Sequence, residues 1–179
     1  MSNNQSPTFG TSGTGLISTT FAYHTLKVRS EALQSDGKIL VSGYSSGLHG
    51  NVFALARYNA DGSPDTTFGS AQTGLITTNF WGSTNEAYSL ALQSDGKILV
   101  SGFSYNGNSS YDFALARYNP DGSLDTTFGS TQPGLITTNF SGNNTDKAYS
   151  LALQSDGKIL VSGYSYGSSG NDFALARYN

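Results

Sequence analysis

The segment "ALQSDGKILVSG" stands three times in this chain without a single change, beginning at Ala32, Ala91 and Ala152. The rest of the sequence keeps step with it. Phe9, Phe68 and Phe128 of the "TFG" turns are spaced by 59 and 60 residues, and Phe53, Phe113 and Phe173 of "FALARYN" by 60 and 60. The aspartates Asp36, Asp95 and Asp156 follow at 59 and 61. A repeat of this length is one supersecondary unit that buries its apolar face only against the next unit, so the period dictates a stack. The chain then reads as one domain, residues 1–179, with repeats at approximately 9–67, 68–127 and 128–179. Single-residue insertions fall in the polar stretches, as expected if the repeated blocks are strands and the rest is loop.

Each repeat reads as four short strands. "AYSLALQ" alternates Ala87, Ser89 and Ala91 with Tyr88, Leu90 and Leu92, a period of two. Asp-Gly in "SDG" supplies the positive φ of a tight hairpin, and "KILVSG" is its apolar return strand. In "FALARYN", Phe, Leu and Arg alternate with Ala, Ala and Tyr. A turn-rich connector leads to "GLITTNF", whose Ile and Thr favour extended backbone. No segment sustains a helical period. With 12% charged residues, 12% aromatics and 22 glycines, the composition agrees with an all-β chain rich in turns.

Four antiparallel strands at a fixed spacing predict a propeller blade. The stretches "EAYSLALQSDGKILVSG", "DFALARYNPDGSLDTTFG" and "GLITTNF" resemble the bacterial delta-60 repeat, and the order of strands is similar to that of NHL-type blades. The resemblance implies a β-propeller and brings no catalytic residues or cofactor with it. A β-trefoil or β-prism monomer is the alternative threefold architecture.

In the NHL-like phase the strands run from inner to outer, so "GLISTTF" (Gly15–Phe21) is an outer strand without a blade, and the third blade lacks its own. Propellers close with roughly 4–8 blades, which three do not reach. The expectation is a head-to-tail homodimer forming a six-bladed ring by strand exchange. Leu16, Ile17 and Phe21 of one copy would lie along Phe173, Leu175 and Arg177 of the other, with Arg29 and Glu31 beside the join. The same contact gives a trimeric ring or an open filament if the rotation does not close at two. A self-closed monomer and a piece of a longer array are the competing readings.

Repeat one departs from its siblings. Arg29 stands where Tyr88 and Tyr149 do, Glu31 where Leu90 and Leu151 do, and Val52 where Asp112 and Asp172 do; His24 and His49 also fall here. One reading is a ligand or catalytic site of His24, Arg29, Glu31 and His49. The other is a junction with a different neighbour, where Arg29 and Glu31 form an ion pair, or pair across the junction, and fix which blades meet.

Recognisable chemistry is sparse. The net charge is −3, and the basic residues are scattered rather than striped, so nucleic acid is not an expected partner. There is no cysteine. "MSNNQSPTFGTSG" has neither a basic nor an apolar leader region, and no apolar run approaches a bilayer span, so a soluble chain without membrane insertion is expected. Family resemblance leaves cell-surface or extracellular use open. "NADGSPD" and "NPDGSLD" resemble calcium loops, with Asn59, Asp61, Asp65, Asn119, Asp121 and Asp125 as candidate ligands. The first ligand position is an arginine, Arg57 or Arg117, and Asp-Gly-Ser is a good turn in its own right, so no metal is expected. There is no G-x-S-x-G, H-E-x-x-H or phosphate loop, which points away from an enzyme. Tyr105, Tyr111 and Tyr166 stand among Ser, Asn and Gly in the loops before "FALARYN", and Trp81 follows Phe80. Such aromatics suit glycan or surface-ligand recognition. Two functions follow: a structural scaffold that assembles with itself, or a multivalent binding module.

Overall fold

The structure, a computed structural model, describes residues 9–10, 15–21, 25–47, 50–140, 142, 144–167 and 169–179. Three antiparallel sheets follow one another along the chain. The first is β1 (Thr25–Leu33), β2 (Ile39–Gly47), β3 (Gly50–Tyr58) and β4 (Leu75–Thr78), in that order. The second is β5 (Asn85–Leu92), β6 (Ile98–Tyr105), β7 (Tyr111–Tyr118) and β8 (Leu135–Thr138). The third has only β9 (Asp146–Leu153), β10 (Ile159–Gly167) and β11 (Gly170–Tyr178), so β11 is its outer edge. The first hairpin of each sheet turns on Asp-Gly. Gly37, Gly96 and Gly157 take φ of 84°, 83° and 84°, and the preceding aspartate accepts the N–H of the following lysine.

The strict alternation expected of "AYSLALQ" does not hold, because the inner strand of every sheet carries a β-bulge. The register slips between Val28 and Ser30, between Ala87 and Ser89, and between Ala148 and Ser150. The extra residue is Arg29, Tyr88 or Tyr149, and it moves the residues after it to the other face. Ala87 and Leu90 therefore share one core although three positions separate them. The return strand passes the bulge at Gly43, Gly102 and Gly163. A Cβ there would lie 1.8, 1.9 and 1.9 Å from the carbonyl oxygens of Lys27, Glu86 and Lys147. Only glycine admits so close a backbone.

The alternation in "FALARYN" does hold and builds the packing. Phe53 and Leu55 point from sheet one towards sheet two, where they meet Ala114, Ala116, Ile98 and Val100 in one core. Phe113 and Leu115 point from sheet two towards sheet three and meet Ala174, Ile159 and Val161 in a second. Large side chains on each forward face thus fill the space left by alanines on the next backward face. The middle sheet is buried on both sides. In a β-prism or trefoil each unit has one inner and one outer face, so stacked blades are the better description.

Residues 15–21, expected to pair with a second copy, have no strand to pair with in the single chain. They form no ladder and lie as extended chain against the connector of repeat one. A Cβ at Gly62 would strike the Ile17 side chain at 1.6 Å, just as one at Gly122 would strike Ile76 at 2.5 Å. Phe21 is buried on Ala54, Ala56 and Leu75. The segment holds the place beside sheet one that residues 74–80 hold beside sheet two, lacking only a sheet of its own to pair with.

Replacing Gly102 by Ala should lower stability by about 3 kcal/mol, because backbone rather than a flexible side chain opposes the new methyl. Thermal melts against wild type read the backbone clash, because Gly102, unlike Gly107, is not among the glycines at positive φ.

Candidate functional site

The repeated arginine closes a latch between sheets. Arg57 lies on the forward face with Phe53 and Leu55, and its Nε donates to Asp65 Oδ2 at 2.7 Å. Nη1 donates to the backbone oxygen of Pro120, in the connector of the next repeat, at 2.5 Å. Lys38 Nζ joins the same Asp65 oxygen at 2.7 Å, and Thr67 donates both its N–H and its hydroxyl to Oδ1. The guanidinium carbon sits 4.2 Å from the centre of the Phe68 ring. In the second repeat Arg117 and Lys97 reach Asp125 at 2.8 and 3.0 Å, and Arg117 lies 4.1 Å over Phe128. Burial by itself raises the Asp65 and Asp125 carboxyls. Hydrogen bonds from lysine and threonine, together with the arginine, overcome it and hold both well below the usual carboxylate range. In the third repeat Arg177 is exposed and Lys158 turns instead to Asp156.

These contacts account for the candidate calcium ligands. The Asp65 and Asp125 carboxylates face two cations each, an arrangement opposed to holding a third. Asp61 and Asp121 each accept the N–H and hydroxyl of the serine two residues on, and Asn59 and Asn119 donate to that serine's oxygen. Among the described residues no cluster of three metal-ligating side chains forms. Sequence reading missed the lysine of "SDGK" as a latch member. Its signal is an arginine and an aspartate eight positions apart that recur together.

The bulged residues form a row along the inner strands. The Arg29 guanidinium lies 5.5 Å from the Tyr44 ring centre and 5.0 Å from that of Tyr88. Tyr88 meets Tyr149 edge-on at 4.9 Å, and Tyr149 meets Tyr164 at 6.0 Å. Lys147 Nζ lies 4.2 Å from the ring centres of both Phe103 and Tyr111, and burial lowers its pKa. Burial, with Tyr164 and Tyr88 beside it, pushes the Tyr149 hydroxyl up to about 12. Within the chain Arg29 and Glu31 do not form the ion pair that is one of the two pairings expected from sequence. The bulge sends Arg29 to tyrosines of its own and the following sheet, and Glu31 to the exposed backward face of sheet one. His24 and His49 lie outside the described residues.

Two faces remain open. Phe173 is fully exposed where Phe53 and Phe113 are 1% exposed, and Leu175 is 63% exposed where Leu55 and Leu115 are 1%. At the other end Val28 is 61% exposed where Ala87 and Ala148 are fully buried, and Leu16 is exposed where Leu75 and Leu135 are buried. A small groove between Leu26, Val28, Val41, Ala54 and Tyr58 opens on that face.

The loop aromatics separate into two kinds. Tyr111 packs edge-on against Phe103 and Tyr105, so it supports the loop. Tyr166 and Trp81 stand exposed. Tyr105 and Trp81 line one cleft, with Asn106, Asp112 and Thr137.

Antiparallel sheets stacked in sequence with large-on-small packing, and an arginine latch that reaches from the first repeat to the connector of the second, define a propeller-type repeat protein. The chain belongs to the family described as a domain of unknown function (DUF5122) beta-propeller, matched over residues 34–68, 93–128 and 154–179. No curated protein matches it. Among the described residues no helix is long and apolar enough to cross a membrane.

Both latch carboxyls are depressed in the folded state, so their stabilisation is complete above the ordinary aspartate range near pH 4 and is lost as pH falls below it. Replacing Asp125 by Ala leaves the half-buried Arg117 without its carboxylate and Lys97 with only Asp95, 3.8 Å away. It should cost about 3 kcal/mol at neutral pH and flatten the acid limb of a urea-midpoint against pH profile.

Proposed function

We propose that this chain is a non-enzymatic scaffold whose three blades become a closed propeller by joining a second copy head to tail. The observation that carries the reading is the full exposure of Phe173, a residue whose two counterparts, Phe53 and Phe113, are buried in the inter-sheet cores. The occupant it calls for is the backward face of sheet one, because the molecule twice packs that combination of faces internally. Of the buried carboxylates, Asp65 and Asp125 are engaged in structural ion pairs, and Asp146 accepts the Phe140 N–H through Oδ2.

The register of the exchange follows from the ladders already formed. Leu55 pairs with Ile76 and Ala56 with Leu75 between β3 and β4. By the same spacing Leu175 of one copy would lie opposite Ile17 of the other, and Ala176 opposite Leu16. Leu16 would then be covered, and the free edge of β11 would be paired rather than left open to any passing strand. Arg177 would come over Phe9 as Arg57 comes over Phe68. Along the inner row, Tyr149 of one copy would receive Arg29 of the other, continuing the sequence Arg29–Tyr88–Tyr149 around the axis.

A second reading, a binding module for glycan or another surface ligand, draws on the exposed Trp81 and Tyr166.

Light scattering on the 179-residue chain at micromolar concentration should give twice the monomer mass of 18.8 kDa. A trimer or an extended filament would keep the face-to-face contact and revise the closure; a monomer would overturn the reading. Phe173→Ser should weaken association by about 100-fold, near 3 kcal/mol, while a melt of the dissociated chain stays cooperative. Exchanging Arg29 and Glu31 for Tyr and Leu should alter the distribution of assemblies, and an unchanged distribution would remove them from the join.

A further inference from the structure

Trp81 is the one tryptophan of the chain and stands 87% exposed on the crossing from β4 to β5. Its backbone is unusual. The Gly82 N–H donates to Phe80 O at 2.7 Å, and Trp81 between them takes φ of 63°. That is the γ-turn with positive φ, a rare and strained conformation that glycine would adopt without cost. The surroundings enforce it. Phe80 is buried on Phe53 with ring centres 4.8 Å apart, and its carbonyl accepts the Ser104 hydroxyl. Gly82 lies so close to Tyr105 O that a Cβ would come within 2.0 Å. The turn is therefore clamped on both sides, and its strain goes to presenting a bare indole.

The indole divides two clefts. One, of about 280 Å³, is lined by Tyr105, Asn106, Asp112 and Thr137; the other, of about 230 Å³, by Gln132, Thr137 and Ser130 among others. Hydroxyls, amides and one carboxylate line them beside Phe80, Leu135 and Ile136, with no lysine or arginine. Asp112 Oδ1 accepts from Asn106 Nδ2 at 3.0 Å and from Asn139 Nδ2 at 2.8 Å, which orients its other oxygen as an acceptor. An aromatic plane between short polar side chains suits a flat ring with apolar C–H faces and a rim of hydroxyls. The lack of cations argues against an acidic ligand.

We propose that Trp81, with Asp112, Asn106 and Thr137, forms a subsite for a neutral pyranose chain, one sugar stacked on the indole and its neighbours in the flanking clefts. This deepens the binding-module reading and is independent of assembly, since every residue belongs to one chain: Asp112 and Thr137 to strands of sheet two, Asn106 to its β6–β7 loop and Trp81 to the crossing that leads into it. The other repeats have Ala22 and Ser141 at this position, so the site occurs once per chain rather than once per blade.

The single tryptophan makes the test direct. Emission is followed while cellohexaose, xylohexaose, mannohexaose or chitohexaose is added to the native chain, with heparin as the acidic comparison. At least one neutral hexasaccharide should shift the emission saturably, and Asp112→Ala should weaken that ligand by about tenfold, a loss calorimetry would read as well. Trp81→Gly should abolish binding yet melt no lower than wild type, because glycine relieves the turn. Binding that survives Trp81→Gly overturns this subsite and leaves the binding-module reading standing elsewhere. Emission unmoved by all four sugars overturns the subsite, as does preference for heparin. A large drop in melting temperature for Trp81→Gly would show the indole to be a packing element and overturn it too.

Discussion

The molecule depends on a mismatch in size between the two sides of each sheet. In "FALARYN" the Phe and Leu side chains go forward and the two Ala side chains go back, so each blade offers knobs to the next and a shallow bed to the one before. Burying a Phe and a Leu contributes on the order of 1.5–3 kcal/mol each, and a sheet held by one interface alone receives that contribution once. The middle sheet receives it twice. Its strands are correspondingly the most deeply buried, with Leu99, Val100, Ala114 and Ala116 all fully enclosed. The latch of Arg57, Asp65 and Lys38 adds direction to this packing, because it reaches from one repeat to the connector of the next.

The inner strands do a separate job. The bulge allows one large residue per sheet to leave the packed faces and line up with its neighbours. The glycine opposite it is the steric condition, since the two backbones touch there. Arg29 is explained by this geometry without recourse to a buried ion pair. A guanidinium laid against two tyrosine rings keeps contact with water along its edge, and cation–π attraction replaces the aromatic edge contact that Tyr88 and Tyr149 make.

Much of this was legible in the letters, and the parts that were not share a cause. The period gave three units, and two-residue alternation assigned the faces of β3, β7 and β11 correctly, because side-chain direction in a regular strand depends only on parity. Parity failed in β1, β5 and β9. A bulge leaves no mark beyond a bulky residue opposite a glycine, so Arg29 and Glu31 looked like neighbours on one face when they are on different sides. The aspartates of the connectors resembled metal ligands by spacing, while their partners Lys38 and Lys97 come from a hairpin 27 or 28 residues away. Distance along the chain hid the latch. The γ-turn at Trp81 was invisible for a similar reason: nothing local requires it, and it exists because Phe80 and Gly82 are fixed by other strands.

The bare forward face of the third sheet bears on how this protein responds to dilution. Phe173 and Leu175 keep their apolar area in water until something covers it, so whatever docks there stabilises β9, β10 and β11 by mass action. The melting temperature of such a sheet is a property of the solution as well as of the chain. Where the docked partner is a second copy, as proposed, thinning the sample would act on it as a mild denaturant does.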